Sequence, residues 1–254
     1  MAKPALLVHP PLGMFEARLA DYDVVHWPTD RQDVRAAVTI GSVGVSNDMI
    51  DALPELGAII CFGVGVDGVD LDYARERGIA VTHGREINNE DVADVAFGLI
   101  IATVRGFSEA ERVLRDDRWT PPLAIASRPR LYGRKQGIVG MGAIGQAIAR
   151  RAQGFGMDIK WNGPRAKPDI AQAYEPDLTK LAAWADILAV AARGDQPGLI
   201  DAGVIAALGE QGYLVNISRG SVVDESAVIA ALKTGAVGGA GKEEFAQEPT
   251  PAQS

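Results

Sequence analysis

The chain is poor in cysteine and in basic residues. Cys61 is the only cysteine among 254 residues, so no disulfide framework, no thiolate cluster and no metal site is expected. Because Cys61 follows the apolar residues 58–60, a buried strand thiol is the simplest interpretation. The 25 basic residues are outnumbered by 33 acidic ones, which gives a net charge of −8. A nucleic-acid binder needs a basic face, so this charge argues against a nucleic-acid partner.

Long apolar runs are also missing from the sequence. The longest, near residues 97–104, is far shorter than the roughly 20 residues that cross a bilayer. The apolar run within residues 1–11 is too short for a signal peptide. We therefore expect no membrane partner and a cytoplasmic protein. A hydrophobic fraction of 47% and a charged fraction of 23% are ordinary for a globular protein of one large or two modest domains.

A glycine-rich segment, residues 137–167, carries the clearest functional signal. It has a G-x-G-x-x-G turn between an apolar strand end and a helix predicted over 146–153, and a second strand is predicted over 158–161. Such a turn lets the backbone approach a pyrophosphate, which the helix N-terminus binds through its free N–H groups and its dipole. The segment therefore predicts a dinucleotide site. Its predicted cofactor-binding residues at the turn are Gly140, Gly142, Ala143, Ile144 and Gly145.

The end of the second predicted strand indicates which dinucleotide is preferred. An NAD site needs Asp or Glu about 20 residues past the turn, to bind the ribose 2′-hydroxyl. Residues 161–167 contain no acid but include Arg165 and Lys167, and a guanidinium can bind a 2′-phosphate through two hydrogen bonds. We therefore predict NADP(H) as the preferred cofactor and NAD(H) as the alternative, with Asn162 as a further contact. The competing interpretation is a solvated basic loop.

A second G-x-G-x-x-G, over residues 63–68, competes for the cofactor. Asp67, Asp70 and Asp72 lie in or directly after it, and three carboxylates would oppose a pyrophosphate. The helix after residue 145 starts without acids, so electrostatics assign the cofactor to the later turn. The earlier loop still offers the backbone N–H groups of Val64 and Gly65, which are enough to bind one small carboxylate.

Predicted strands and helices alternate along the sequence both before and after a long helix predicted over 90–104. This alternation predicts an α/β fold with two doubly wound parallel sheets. We expect one domain over residues 1–92 and a nucleotide-binding domain over 93–254. The first looks compressed, because residues 30–35 are too few for a crossover helix. The proline-rich stretch 119–129 suits an arm that lies against a partner surface.

Four motifs together resemble the D-isomer-specific 2-hydroxyacid dehydrogenase family, and especially its NADPH-dependent glyoxylate/hydroxypyruvate reductase branch. They are FGVGVD at 62–67, EDVAD at 90–94, GMGAIG at 140–145 and LVNISRGSVVDE at 214–225. The similarity extends in order over most of residues 1–250. It implies a flavodoxin-like substrate domain, a Rossmann nucleotide-binding domain, and a homodimer supported by the arm at about 97–130.

The resemblance also implies a reaction, in which NADPH transfers a hydride to C2 of a small 2-keto acid and a D-2-hydroxy acid forms. Arg219 matches the family's catalytic arginine, which also binds the substrate. Glu248, in the context F-x-x-E-P, matches the catalytic glutamate, which in the family raises the pKa of a histidine that donates the proton. By the same resemblance the substrate carboxylate is bound by Val64 and Gly65, and the cofactor is contacted by Ile217 and Glu243.

Two departures from the family pattern stand near the end of the sequence. The family's histidine follows the Glu-Pro pair in a Pro-His segment, whereas this sequence ends six residues after Glu248. Either the sequence is shortened, or the protein lacks this donor and is a catalytically silent dinucleotide-binding sensor or partner-binding protein. The family's GLDVF is GKEEF at 241–245, so Lys242 and Glu244 place charges at positions expected to be buried. Such charges are costly unless they are paired or exposed.

Overall fold

The chain divides into two units, Met1–Asn88 and Asn89–Ser254. The structure is a computed structural model that describes residues 3–119 and 127–248. Each unit is built on one parallel sheet with flanking helices, which confirms the predicted fold class. Part of the predicted arm, residues 120–126, lies outside the described residues.

The first unit has five parallel strands in the order β2-β1-β3-β4-β5, which is the flavodoxin-like order. Its strands are β1 (Ala5–His9), β2 (Asp23–Val25), β3 (Ala36–Ile40), β4 (Ala58–Phe62) and β5 (Ala80–His83). Its helices are the 3-10 helix η1 (Gly13–Leu19) and the α-helices α1 (Asn47–Asp51) and α2 (Leu71–Glu76).

Short connections explain why this unit is small. Residues 26–35, which join β2 to β3, contain no helix, in keeping with the compression predicted from their number. The core forms between one face of the sheet and α1, where Leu7 and Ile59 pack with Met49 and Ile50. Cys61 lies in the same core, and its burial raises the pKa of the thiol, so the prediction of a buried strand thiol is confirmed.

The second unit has six parallel strands in the order β11-β10-β9-β6-β7-β8, the Rossmann order with the switch point between β6 and β9. Its strands are β6 (Lys135–Val139), β7 (Asp158–Asn162), β8 (Ala173–Tyr174), β9 (Ile187–Val190), β10 (Tyr213–Asn216) and β11 (Gly239–Lys242). Its helices are α3 (Asn89–Arg105), α4 (Phe107–Arg115), α5 (Ala143–Gly154), α6 (Leu178–Trp184), α7 (Ala202–Leu208), the 3-10 helix η2 (Gly220–Val222) and α8 (Glu225–Thr234).

Helices cover both faces of this sheet. On one face α3 and α5 pack over Trp161 and Ile138, and on the other α6, α7 and α8 pack over Leu188 and Leu214. Strands of β-branched and apolar residues that are buried on both faces are what a parallel sheet requires. No helix within residues 3–119 and 127–248 combines the length and the apolar character needed to cross a membrane.

Candidate functional site

The glycine turn joins β6 to α5 at the switch point of the second sheet. Gly140 has a φ of +93°, and a Cβ added there would lie 2.5 Å from the carbonyl oxygen of Ala191, just after β9. A Cβ added at Gly145 would lie 2.1 Å from the carbonyl oxygen of Gly140. Only glycine therefore permits this close packing of turn, strand end and helix. Ligands of doubly wound sheets bind at such switch points.

The middle of the same turn is open rather than packed. A Cβ added at Gly142 meets nothing within 4 Å. No side chain caps α5, and its first turn, which begins with Ala143 and Ile144, contains no acidic residue. The space over Gly142 and the uncapped helix start together fit the pyrophosphate of a dinucleotide.

The competing glycine loop has a different construction. The helix that follows it, α2, is already capped by the Asp70 carboxylate, which accepts a hydrogen bond from the Tyr73 N–H at 3.0 Å. This bond lowers the pKa of Asp70. The loop also packs on backbone, since a Cβ added at Gly41 would lie 1.9 Å from the Gly65 carbonyl oxygen. The Asp70 carboxylate at the start of α2 would repel a pyrophosphate there. Val64 and Gly65 are partly exposed.

The three predicted contacts after β7 have different surroundings. The Asn162 side chain is buried and donates to the carbonyl oxygens of Glu175 and Pro176, at 2.8 and 3.1 Å. The backbone carbonyl oxygen of Asn162 accepts a hydrogen bond from the Gly140 N–H at 2.9 Å. Asn162 therefore positions the glycine turn through its backbone and the following loop through its amide.

Lys167 and Arg165 bring positive charge to the loop after β7. The Lys167 ammonium donates to the Met141 carbonyl oxygen at 2.7 Å, which places a cation at the glycine turn. Arg165 is exposed, and among the described residues its side chain forms no hydrogen bond or ion pair. In the predicted basic loop, Lys167 therefore contacts the glycine turn, whereas Arg165 is exposed to solvent.

The last residue of β10, the buried Asn216, shapes the loop that holds Arg219. The Asn216 amide donates to the Arg219 carbonyl oxygen at 3.0 Å, and its oxygen accepts from the Ser218 N–H at 3.1 Å. Ile217, a predicted cofactor contact, is buried in the core, and its N–H donates to the Val190 carbonyl oxygen at 3.1 Å. These bonds fix the backbone from which Arg219 extends.

The Arg219 side chain forms an ion pair with Glu244. Its Nη1 donates to the Ser218 carbonyl oxygen at 2.9 Å and to Glu244 Oε1 at 3.0 Å. The two side chains are 33% and 25% exposed. Burial is the main cause that raises the pKa of Glu244, Arg219 opposes it, and the neighbouring carboxylates Glu243 and Glu248 raise it further.

A second ion pair links β11 to the start of α8. The Lys242 ammonium bonds the Glu225 carboxylate, and these side chains are only 10% and 14% exposed. Glu225 Oε2 also accepts from the Ala246 N–H at 3.0 Å. The charges at 242 and 244, placed by sequence at buried positions, are therefore both paired. Sequence reasoning did not identify their partners, Arg219 and Glu225. The only signal was that both residues lie in the motif over 214–225 and carry the opposite charges.

The segment after β11 carries the two remaining predicted residues. Glu243 is exposed, and its N–H donates to the Asn216 carbonyl oxygen at 3.0 Å, which continues the pairing of β10 with β11. Glu248 is exposed and accepts from the Phe245 N–H at 2.8 Å. A Cβ added at Gly220 would lie 1.9 Å from the Phe245 carbonyl oxygen, so the segment is packed on this glycine.

The predicted residues of the second unit thus gather at one edge of its sheet. The glycine turn follows β6, Asn162 ends β7, and Arg219 and Glu243 follow β10 and β11. Val64 and Gly65 follow β4 of the first unit. The sheet order, the packed turn and the uncapped α5 define the second unit as a dinucleotide-binding Rossmann domain.

Comparison with known proteins identifies the family. The model of the D-isomer specific 2-hydroxyacid dehydrogenase NAD-binding domain matches residues 97–254, and the chain belongs to this family. The resemblance inferred from the four motifs is confirmed, and so is its glyoxylate/hydroxypyruvate reductase branch.

Relatives of known activity cover nearly the whole chain. A 2-ketogluconate reductase of Gluconobacter oxydans is 38% identical over 98% of this chain and 83% of its own length. A glyoxylate/hydroxypyruvate reductase of Arabidopsis thaliana is 40% identical over 87% of this chain and 71% of its own.

Solved structures show the same fold. A 2-hydroxyacid dehydrogenase of Ketogulonicigenium vulgare superposes with a TM-score of 0.88 at 35% identity, over 99% of this chain and 84% of its own. An NADPH-dependent glyoxylate/hydroxypyruvate reductase of Sinorhizobium meliloti, solved with NADP and malonate, gives 0.88 at 34% identity, over 99% and 82%. The chain is therefore an NAD(P)-binding oxidoreductase of the 2-hydroxyacid dehydrogenase class.

Proposed function

We propose that the protein is an NADPH-dependent reductase of small 2-keto acids of the glyoxylate or hydroxypyruvate type, which it converts to D-2-hydroxy acids. The observation that carries the proposal is the arrangement of the second sheet, where an open glycine turn and the Arg219 guanidinium follow strands at the same edge. The relatives in Arabidopsis thaliana and Sinorhizobium meliloti are named glyoxylate/hydroxypyruvate reductases, and they support the substrate class.

The cofactor contacts follow from the open turn and the basic loop. The pyrophosphate would bind over Gly142, at the N–H groups of Ala143 and Ile144, with the Lys167 ammonium close by. The exposed Arg165 would bind the 2′-phosphate, which is the basis for proposing NADPH over NADH. When bound, the nicotinamide supplies the hydride.

The remaining cofactor residues act through the backbone or the edge of the sheet. Asn162 would contribute by holding the glycine turn, because its side chain is committed to the 175–176 loop. Ile217 is buried and would contact the cofactor only through its backbone. Glu243 is exposed after β11 and would accept a hydrogen bond from the cofactor's carboxamide.

The substrate would be held by two kinds of donor. The Val64 and Gly65 N–H groups would bind the keto-acid carboxylate. The Arg219 guanidinium would bind the substrate and stabilise the negative charge that develops on the C2 oxygen during reduction. Glu248 would support the proton transfer that completes the alcohol.

The domain assignment and the homodimer are parts of the same proposal. The substrate domain would comprise about residues 1–92 and the nucleotide domain 93–254. The arm at about 97–130 would pair two copies.

Three exposed apolar side chains of this arm support the homodimer. In the single chain Phe107, Leu114 and Trp119 are 56%, 49% and 68% exposed. Leu114→Ser should then shift the sedimentation coefficient towards that of a monomer, and an unchanged dimer would contradict this role for the arm.

A turnover assay tests the reductase proposal. The protein is expected to oxidise NADPH in the presence of glyoxylate or hydroxypyruvate, and Arg219→Lys should lower kcat roughly hundredfold, because lysine keeps the charge but loses the planar donor pair. The matched control is Arg18→Lys, at the exposed end of η1, which should leave the rate unchanged. Failure of the protein to oxidise NADPH with either keto acid would refute the proposal.

A further inference from the structure

The guanidinium proposed to bind the substrate already carries a carboxylate of its own chain. Arg219 comes three residues after β10 and Glu244 two residues after β11, and the parallel register pairs Asn216 with Lys242. The register therefore brings the two side chains to the same edge of the sheet. Both hydrogens of Nη1 are used, by the Ser218 carbonyl oxygen at 2.9 Å and by Glu244 Oε1 at 3.0 Å.

The charges around this pair favour competition between Glu244 and an anionic substrate. Glu243 and Glu248 lie near enough to Glu244 to raise its pKa, so three carboxylates share the neighbourhood of one guanidinium. Lys242 does not offset them, because its ammonium is paired with Glu225. A 2-keto acid would bring a further carboxylate to a cation that is already neutralised.

We propose that Glu244 is a positioning residue that competes with the keto-acid substrate for Arg219, so that the substrate binds more tightly when Glu244 is neutral. The inference rests on the proposed role of Arg219 in the reductase function. It adds that a residue of this chain limits substrate affinity through charge.

This competition makes substrate affinity depend on pH. Burial, Glu243 and Glu248 raise the pKa of Glu244 and Arg219 lowers it, with a net upward shift. Glu244 is therefore protonated at a higher pH than an exposed glutamate, while a 2-keto acid is still ionised. The KM for the keto acid should fall as the pH is lowered through the titration of Glu244.

The variant Glu244→Gln separates the charge from the hydrogen bond, because the glutamine oxygen can still accept from Nη1. We expect KM for glyoxylate at neutral pH to fall about fivefold, with kcat changed less than about twofold, from removal of one partly screened charge. The pH dependence of KM should flatten. Glu244→Asp keeps the charge and should keep the pH dependence.

The matched control is Glu210→Gln, which makes the same charge change at an exposed position before the opposite end of β10. It should leave KM and its pH profile as in the wild type. A thermal unfolding curve for each variant shows whether it is folded, so that a lost fold is not mistaken for a changed KM.

Binding of oxamate, an unreactive keto-acid analogue, to the NADPH-loaded protein gives a readout independent of turnover. Titration calorimetry should show a roughly fivefold lower Kd for Glu244→Gln than for the wild type. An equal or higher KM and Kd in the variant would overturn the inference while leaving the reductase function intact. A wild type that neither turns over keto acids nor binds oxamate would overturn both.

Discussion

The open space over Gly142 leads to the sharpest expectation about cofactor binding. Its φ of −79° and ψ of −163° suit alanine, and an added Cβ meets no protein atom within 4 Å. In Gly142→Ala the methyl group should therefore fit the folded protein but occupy space needed by the pyrophosphate. Loss of one charge-assisted hydrogen bond, about 1.5–3 kcal/mol, corresponds to a roughly tenfold to hundredfold weaker Kd for NADPH.

Stability should barely change in this variant. Alanine at a helix N-cap is about 0.5–1 kcal/mol less favourable than glycine. Replacing glycine by alanine recovers about 0.4–1 kcal/mol, because it restricts the unfolded chain. The two effects offset each other, so the Tm should stay within about 3 °C of the wild type. Titration calorimetry with NADPH and a thermal unfolding curve measure the two quantities.

Gly154→Ala is the matched control, at the other end of α5, where an added Cβ also meets nothing within 4 Å. Its Kd for NADPH should equal that of the wild type. By contrast Gly145→Ala places a Cβ 2.1 Å from a backbone oxygen and should lower both affinity and stability. If Gly142→Ala binds NADPH as tightly as Gly154→Ala, the pyrophosphate does not lie over this turn.

Three further expectations concern charge. Arg165→Ala should raise KM for NADPH about tenfold and leave KM for NADH unchanged, whereas Arg18→Ala should change neither value; equal changes for both cofactors would refute the 2′-phosphate contact. Lys242→Met removes the ammonium that pairs with the mostly buried Glu225 carboxylate and should lower the free energy of unfolding by about 3 kcal/mol in urea titrations, and adding Glu225→Gln should recover part of the loss. Folding raises the pKa of Glu244, so the folded protein binds a proton at this residue more tightly than the unfolded chain does. The free energy of unfolding should therefore fall as the pH rises through the window between the unfolded and folded pKa values of Glu244. Glu244→Gln should flatten that slope, and an unchanged slope would contradict this linkage.

Several elements could be predicted to the residue. Apolar runs in the sequence predict strands over 36–40, 58–62 and 213–216 and a helix over 225–234, and β3, β4, β10 and α8 have these bounds. A glycine lies next to each of these segments, and Asp224 caps the helix. By contrast α5 begins at Ala143, three residues earlier than predicted. Its N-cap is glycine, so the polar residue that usually marks a helix start is missing.

Other features depend on tertiary packing that the sequence does not encode locally. The spacing of apolar residues in α3 predicts a buried face that includes Val95, but Val95 is exposed and Phe97 is buried instead. Most residues of this helix are apolar, so periodicity cannot select the inner face. The strand β8 has only two residues, too few to show any period.

The two ion pairs at the sheet edge were beyond sequence reasoning for a geometric reason. Arg219 and Glu244 are 25 residues apart, and Lys242 and Glu225 are 17 apart. The first pair meets because β10 and β11 pair in parallel register, and the second because the start of α8 lies beside β11, which only the folded unit provides. The motif that located Arg219 carried no information about the carboxylate that neutralises it.

The most direct test of the central claim follows the hydride itself. The protein is incubated with glyoxylate or hydroxypyruvate and NADPH that carries two deuterium atoms at C4 of the nicotinamide, so that transfer from either face moves deuterium. The product is analysed by mass spectrometry and on a chiral column. We expect deuterium at C2 of the 2-hydroxy acid, and D configuration in the product of hydroxypyruvate. A product without deuterium, or with the L configuration, would contradict the proposed reductase.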